Sequence, residues 1–287
     1  MKNLFFLFLF FMVFSSAYPA PYRVGSKTTD LVYANNGGRD QRLDIYYPKT
    51  PAPPQGYPLI ICFHGGAWII GNKHWDLVLR NLTNYGYAIT SVDYRLSREA
   101  RYPAQLVDAR NATHWLLQNA SSLHLDPNRI GVSGASAGGH IALLLAFTQN
   151  QKLANTSPLP KTAIKAVCAL YPVTDLISIV PPQKRNDPGN VISKLLGAPI
   201  SQRLMLAMQG SPMTYVSKNN PPVMLIHGDK DMIVPISQSE NLAHAMWKTG
   251  ADTQLIIYAG RIHGFGLYPS TLMDVKKFFD RHLRPVK

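Results

Sequence analysis

The group in this chain best placed to do chemistry is a serine flanked by glycines, within Gly134-Ala135-Ser136-Ala137-Gly138-Gly139. A short apolar run, residues 129–133, precedes it, and a helix-forming run, residues 140–146, follows it. A G-x-S-x-G sequence between a strand and a helix is typical of a nucleophile elbow, a sharp turn that exposes a serine hydroxyl. Glycine is needed there because a Cβ would collide where strand and helix pack closely. The pattern predicts Ser136 as a nucleophile for acyl transfer, although a glycine-rich turn with an incidental serine would fit the same spacing.

A second stretch of small residues follows the apolar run at residues 59–63 and reads His64-Gly65-Gly66-Ala67-Trp68. Small residues let backbone N–H groups approach a substrate oxygen without obstruction by side chains. The sequence therefore predicts an oxyanion hole built from four residues: Gly65, Gly66, Ala67 and Ala137. Trp68, at the end of the stretch, is predicted to bind the substrate. A purely structural turn is the alternative for this stretch taken alone.

Two stretches late in the chain could supply the base and the acid that a serine nucleophile needs. His263 follows one apolar, strand-like run, and Asp229 and Asp231 follow another. A serine hydroxyl is a poor nucleophile until a base takes its proton, and an acid orients that base. We predict His263 as the base and Asp231, in preference to Asp229, as the acid, because the loop must travel past the strand to reach the histidine. His227 competes as the base, but it ends a strand directly beside the acid.

The elements that must position these residues alternate between strands and helices along the chain. That alternation predicts an α/β fold with a mostly parallel, doubly wound sheet of about eight strands and helices on both faces. Two apolar runs around Asn35-Asn36-Gly37-Gly38 predict an antiparallel hairpin at the sheet edge. From residue 172 to residue 221 the pattern degrades into short pieces rich in Pro, Gly and Asn, too long for a plain connection. We interpret residues 172–221 as a cap-like insertion over the predicted active site.

The first residues have the composition of a targeting signal. Residues 1–3 are weakly basic, residues 4–14 are almost wholly apolar, and Ser15-Ser16-Ala17 provides small residues for cleavage. The apolar run falls short of the roughly 20 residues that span a bilayer. We therefore predict a signal peptide at residues 1–17, a catalytic domain at residues 18–287, and a secreted or periplasmic protein with no stable membrane insertion after cleavage. An uncleaved anchor is the alternative.

Composition and charge exclude several other classes of protein. The 287 residues are 46% hydrophobic and 16% charged, which suits one α/β domain with a large core. The net charge is +13, but the basic residues are scattered, so nucleic-acid binding is not expected. Cys62 and Cys168 lie inside apolar runs and are predicted to be buried thiols. No residues have metal-ligand spacing, so no metal and no cofactor is expected, and the oligomeric state is left open.

Taken together, these motifs resemble those of the α/β-hydrolase superfamily, within its esterase/lipase branch. The resemblance covers the chain after the signal peptide and rests on five stretches: His64 to Trp68, Asp93 to Leu96, Gly134 to His140, His227 to Asp231 with Val234-Pro235, and His263 to Phe265. Ala67-Trp68 stands where the related hormone-sensitive-lipase-like esterases have a third glycine, so the feruloyl/acetyl-esterase-like branch is the better match. The resemblance implies oxyanion amides at Gly66, Ala67 and Ala137, and this departure leaves open whether Gly65 or Ala67 is the second loop donor.

The resemblance also implies a triad and an activity. The family's chain order of nucleophile, acid and base falls on Ser136, Asp231 and His263. We expect a serine carboxylic-ester hydrolase of the carboxylesterase or acetylesterase type, which acts on short-acyl or aryl esters through an acyl-enzyme. Small-molecule or carbohydrate esters are the expected substrates. The alternatives are an amide hydrolase, similar to a serine exopeptidase or an arylformamidase, and a catalytically inactive hydrolase fold that binds a partner.

Overall fold

The computed structural model describes residues 25–75, 77–153, 155–160, 162–266 and 269–284. Its strands are β1 (Lys27–Asn36), β2 (Arg39–Tyr46), β3 (Tyr57–Phe63), β4 (Ala88–Val92), β5 (Leu125–Ala135), β6 (Ile164–Leu170), β7 (Val223–Gly228) and β8 (Thr253–Tyr258). Its α-helices are α1 (Ala104–Gln118), α2 (Ala137–Phe147), α3 (Val191–Leu196), α4 (Leu204–Gln209), α5 (Ser237–Thr249) and α6 (Pro269–Leu283). The 3-10 helices span Leu77–Tyr85, Pro182–Lys184, Ile200–Gln202 and Pro212–Tyr215. The predicted signal peptide, residues 1–17, lies outside the described residues.

The eight strands form one sheet in the order β1-β2-β4-β3-β5-β6-β7-β8. β1 pairs with β2 and β2 with β4 in antiparallel register, whereas the remaining neighbours are parallel. Gly37 and Gly38, both with positive φ, make the turn between β1 and β2 at the sheet edge. The predicted α/β fold, mostly parallel sheet and edge hairpin are therefore confirmed. Because parallel strands all run the same way, β3, β5, β6, β7 and β8 end along one edge, where α/β proteins place functional residues.

Apolar residues at successive positions of the central strands produce a core on both faces of the sheet. Every residue of β3, β4 and α2 is buried. α1, α2 and α5 pack into one core cluster, whereas α6 and the 3-10 helix Leu77–Tyr85 pack into the other. Cys62 and Cys168 are buried, as predicted. In the described part of the chain, no helix combines the length and apolar character needed to cross a bilayer.

The segment predicted to be a cap, residues 172–221, folds into α3, α4 and three 3-10 turns. It is tied to α2 by His140, whose Nε2–H donates a hydrogen bond to Gly210 O at 2.6 Å. Its apolar side chains divide into buried ones, Leu195 and Leu196, and exposed ones, Leu204, Met205 and Met208. The segment therefore packs on the helical layer through contacts that no local sequence pattern specifies.

Candidate active site

Ser136 occupies a strained turn between β5 and α2. β5 ends at Ala135, Ser136 has φ +54° and ψ −118°, and α2 begins at Ala137. Non-glycine residues rarely adopt positive φ, and such strain persists only where the surrounding packing enforces it. The packing here is close, since a Cβ on Gly138 would lie 2.0 Å from Phe63 O. The chain thus has the predicted elbow, with Ser136 half-buried at the carboxyl edge of the sheet.

Hydrogen bonds join Ser136, His263 and Asp231 in series. Ser136 Oγ lies 3.0 Å from His263 Nε2, and His263 Nδ1 lies 2.6 Å from Asp231 Oδ2. Asp231 follows β7 and His263 follows β8, so the three groups come from the ends of different parallel strands. With Nδ1–H donating to the carboxylate, Nε2 is left to accept the hydroxyl proton. A hydroxyl, an imidazole and a carboxylate are therefore joined in series by hydrogen bonds, the arrangement that nucleophilic catalysis by serine requires.

The Asp231 carboxylate is buried and accepts several hydrogen bonds. Oδ1 accepts from the amides of Ile233 and Val234, both at 2.9 Å, and Oδ2 lies 3.3 Å from His227 Nε2. Burial raises the pKa of a carboxyl group, but the hydrogen bonds from His227, His263 and the Val234 amide outweigh this effect. The pKa of Asp231 is therefore held well below its usual range. Asp231 is consequently charged beside His263 at neutral pH.

His227, the other candidate for the base, contacts the Asp231 carboxylate and its loop instead. It is fully buried, and its Nε2–H donates to Val234 O at 2.9 Å while its Nδ1 accepts from Ser239 Oγ at 2.7 Å. Both ring nitrogens are therefore used to hold the Asp231 loop against α5. This role was not predicted, because only the fold shows which partners surround the end of β7.

Asp229, which competed as the acid, holds the histidine loop. Its Oδ1 accepts a hydrogen bond from the Gly260 amide at 2.6 Å, three residues before His263. Its side chain is exposed, whereas the Asp231 side chain is fully buried against the imidazole. Of the two aspartates, the structure places only Asp231 in contact with His263 within the described residues.

The glycine-rich stretch after β3 turns sharply beside the serine elbow. Gly66 has φ +104°, and a Cβ there would lie 2.1 Å from Ile70 O. Ala67 also has a positive φ, +53°. Ala137 is the first residue of α2, so its N–H has no acceptor within the helix. The stretch lines the cavity that contains Ser136 through Gly65, Gly66 and Ala67.

A cavity of about 440 Å³ opens beside Ser136 and His263. The other described residues that line it are Gly65, Gly66, Ala67, Ile69, Ile70, Trp75, Ala135, Tyr171, Ile233 and Gly264. No residue from 172 to 221, all of which are described, belongs to this lining. The predicted role of this segment as a cap stays a prediction, since the structure places none of its residues in the lining of this cavity. The segment contacts α2, where His140 Nε2–H donates to Gly210 O.

The structure does not place Trp68, the residue predicted to bind the substrate, in the lining of this cavity. Its side chain is only 2% exposed and does not belong to the cavity lining. Ala67 and Trp68 have φ values of +53° and +59°, and this backbone directs the indole into the protein. There it packs edge-on against the His140 ring, with ring centroids 5.1 Å apart. The exposed tryptophan of the cavity is Trp75.

Sequence reasoning missed five large apolar or aromatic residues of the cavity: Ile69, Ile70, Trp75, Tyr171 and Ile233. Tyr171 carried a usable signal, because it directly follows β6 at the carboxyl edge. Its ring meets the His263 ring edge-on at a centroid distance of 4.8 Å. Trp75 carried no such signal, since it lies in a loop whose course depends on tertiary contacts.

Burial of His140 makes the fold sensitive to acid. Desolvation lowers the pKa of His140 to about 4, although the hydrogen bond to Gly210 O raises it by a smaller amount. As pH falls below about 6.5, the ordinary pKa of histidine, the side chain of His140 takes up a proton in the unfolded chain but stays neutral in the folded chain. We expect this residue to reduce the free energy of unfolding by about 2 kcal/mol between pH 7.5 and pH 5.

Urea unfolding of the wild type and of His140→Gln at both pH values would measure this loss. The glutamine amide can still donate to Gly210 O but does not titrate. We expect the variant to lose about 2 kcal/mol less than the wild type over this interval. Equal losses of the free energy of unfolding in the wild type and the variant would contradict the assignment of this acid sensitivity to His140.

No group of three or more His, Cys, Asp or Glu residues that could hold a metal ion occurs in the described ranges. The site described above is instead a set of organic side chains around one cavity. Its sheet order, its serine elbow and the order of Ser136, Asp231 and His263 along the chain define an α/β-hydrolase. The BD-FAE family model matches residues 43–246, more than half of the chain, and the chain belongs to that family.

Individual relatives agree with this family. Esterase LipQ of Mycobacterium tuberculosis is 30% identical over 243 residues, which cover 82% of this chain and 56% of LipQ. The chain thus spans about half the length of the curated relatives it matches. A truncated form of a carbohydrate esterase from gut microbiota is 28% identical, with a TM-score of 0.78 over 91% of this chain and 98% of that one. Esterase Est2 of Thermogutta terrifontis, solved with propionate bound, is 26% identical, with a TM-score of 0.73 over 90% and 96%.

Proposed function

We propose that this chain is a serine carboxylic-ester hydrolase of the carboxylesterase or acetylesterase type. The observation that carries the proposal is the series of hydrogen bonds from Ser136 through His263 to Asp231, beside an open cavity. The similarity to proteins named as esterases supports ester hydrolysis over other reactions of the fold.

The reaction would proceed through an acyl-enzyme. Ser136 Oγ attacks the ester carbonyl carbon while its proton passes to His263 Nε2. The carbonyl oxygen becomes an oxyanion, which accepts hydrogen bonds from the Ala137 amide and from amides of the stretch around Gly66. His263 gives the proton to the leaving oxygen, so an alcohol departs and the acyl group stays on Ser136. Water then attacks the acyl group with His263 as base, which releases the carboxylic acid and restores the serine.

Asp231 acts on the base rather than on the substrate. Its contact with Nδ1 selects the histidine tautomer that leaves Nε2 free to accept a proton. Because Asp231 stays ionised, it also stabilises the imidazolium that forms during the attack. Burial of the carboxylate strengthens this effect, since little water screens the charge.

Short-acyl or aryl esters of small molecules or carbohydrates are the proposed substrates. A relative solved with propionate bound supports a short acyl group. A relative named as a carbohydrate esterase makes sugar esters one candidate class. The N-terminal pattern at residues 1–17 supports a secreted or periplasmic location.

Hydrolysis of p-nitrophenyl esters from acetate to palmitate would test this function. We expect kcat/KM to fall steeply beyond butyrate, because about 440 Å³ must hold both halves of the ester. The Ser136→Ala variant supplies the background to subtract at each chain length. Activity that rises towards palmitate would mean that the protein is a lipase rather than a short-acyl esterase. Serine-dependent cleavage of anilides but not of esters would show that the protein is an amide hydrolase. If neither esters nor anilides are turned over in a serine-dependent reaction, the protein is a catalytically inactive hydrolase fold that binds a partner.

A further inference from the structure

A second cavity, of about 680 Å³, lies at the far end of α2 from Ser136. It is lined by the end of α2 and the loop after it, by Thr162 before β6, and by residues 214–217, 219 and 220 before β7. Because β5, β6 and β7 are parallel, the amino ends of β6 and β7 lie at the sheet edge opposite to Ser136. The 11 residues of α2 give a separation of about 16 Å. This cavity is therefore distinct from the one beside the serine.

The lining of this second cavity is rich in carboxamides. Five of its side chains are Gln149, Asn150, Gln151, Asn219 and Asn220. A carboxamide has two N–H donors and one acceptor oxygen, held in one plane. Neighbouring hydroxyls on a sugar ring are also both donors and acceptors, so one carboxamide can hydrogen-bond two of them at once. The volume falls in the range of about 300–1,000 Å³ that is typical of sites for small ligands.

Two of these carboxamides fix the backbone around the cavity. Gln149 Oε1 accepts a hydrogen bond from the Ile164 amide at 2.9 Å, and its Nε2 donates to Ile164 O at 3.4 Å. This pair of bonds ties the loop after α2 to β6. Asn220 Oδ1 accepts from the Ser217 amide at 2.5 Å, which closes the turn before β7. Side chains carried on these two segments are therefore held at defined positions.

Arg110 of α1 also holds the loop after α2. Its side chain is fully buried and donates to Thr148 O at 2.6 Å, to Gln151 O at 2.9 Å and to Thr156 Oγ1 at 2.9 Å. A buried cation with three partners in one loop fixes the conformation of that loop before any ligand arrives. Such preorganisation reduces the entropy that binding would otherwise cost.

The other three carboxamides are available to a ligand. Asn150, Gln151 and Asn219 are exposed. Within the described part of the chain, no hydrogen bond occupies their side-chain amides. Two of them lie on the loop that Arg110 holds, and Asn219 lies on the turn that Asn220 closes. The cavity thus combines a rigid backbone with polar groups that point to a ligand of many hydroxyls.

We propose that this second cavity is a carbohydrate-binding site, in which Asn150, Gln151 and Asn219 bind the hydroxyls of a polysaccharide. Its position away from Ser136 lets the chain hold a polymer while the cavity beside the serine stays open. Binding at this site does not require ester hydrolysis, so the inference stands apart from the proposed function.

Affinity electrophoresis tests the site with the full chain. The gels contain arabinoxylan, galactomannan or mixed-linkage β-glucan, three soluble polysaccharides without charge. A neutral polymer removes the simple attraction between a polyanion and a chain of net charge +13. The Ser136→Ala variant is used so that no ester of the polymer is cleaved during the run. We expect at least one of the three polysaccharides to retard the protein.

A double substitution, Asn150→Ala with Asn219→Ala, tests the residues. We expect the Kd for the retarding polysaccharide to rise about 100-fold, about tenfold for each carboxamide. Both side chains are exposed, so the fold should be retained, and thermal unfolding would check this. Gln118→Ala is the matched control, because Gln118 is an exposed carboxamide at the end of α1 outside the lining. Its Kd should equal that of the parent protein.

Gln151→Ala provides an independent test if the double variant folds poorly. It removes a carboxamide but keeps the backbone carbonyl that Arg110 contacts, so the loop stays in place and Kd should rise about tenfold. Migration unaffected by all three polysaccharides would overturn the inference. Equal Kd values in the parent and the double variant would also overturn it, because the polymer would then bind elsewhere. Retardation by gelatin but by none of the polysaccharides would assign the cavity to a peptide instead. Loss of serine-dependent ester hydrolysis alone would overturn the proposed function and leave this site standing.

Discussion

Replacing Ser136 with alanine is expected to lower kcat for ester hydrolysis by about 10⁶-fold. In the proposed mechanism the variant loses the hydroxyl that His263 Nε2 contacts, so no acyl-enzyme forms. The residual rate should remain about 10³- to 10⁴-fold above that in water, because the oxyanion amides and the cavity are unchanged. Steady-state assays with a p-nitrophenyl ester would measure the residual rate, and burst kinetics would show whether an acyl-enzyme still forms.

The fold should survive this substitution. Ser136 Oγ takes part in one hydrogen bond of 3.0 Å with a half-buried imidazole, so the free energy of unfolding should change by about 1 kcal/mol or less. A fluorophosphonate should label the wild type at Ser136 and leave the variant unlabelled. Ser201→Ala is a matched control, because Ser201 is an exposed serine in a 3-10 turn. Retained turnover and labelling in Ser136→Ala would mean that another residue is the nucleophile.

The second large effect is expected from the two aspartates after β7. Asp231→Asn should lower kcat about 10⁴-fold, because an amide at this position favours the wrong tautomer of His263. The negative charge beside the imidazolium is lost at the same time. Asp229→Asn should reduce kcat less than about tenfold, since it weakens only the hydrogen bond from the Gly260 amide.

The pair is informative because the two residues are the same type, two positions apart on one loop. Measuring kcat and kcat/KM for both variants with one ester would rank them directly. Thermal unfolding of both variants would show whether either effect comes from loss of the fold. The opposite ranking would assign the acid to Asp229 and would contradict the contact between Asp231 and His263.

Local patterns were enough to predict the sheet and the turns that carry the polar groups. The apolar run of β3 and the edge hairpin are present in the fold as predicted. The elbow at Ser136 was predictable because its glycines, its strand and its helix are neighbours along the chain. Each of these signals depends on residues a few positions apart, which is the range over which backbone sterics and hydrophobic periodicity act.

Two expectations differ from the lining of the cavity for one reason, the direction of side chains in irregular segments. Trp68 follows the oxyanion stretch, but its positive φ and its contact with His140 bury it. The segment 172–221 has the length of a cap, yet none of its residues lines the cavity, and its Gly210 is hydrogen-bonded to His140 of α2. Both outcomes depend on contacts between residues far apart in the chain, which composition and spacing do not encode.

The sequence by itself determined the order of strands and helices, the serine elbow and the few side chains able to act as base and acid. Only the tertiary structure decided which of them meet: it brings Asp231, not Asp229, to His263, and Trp75, not Trp68, to the cavity. The physical reason is that a nucleophilic site needs atoms within about 3 Å of one another. Local propensity positions each residue on its element, but distances of that size are set by how the strand ends pack together.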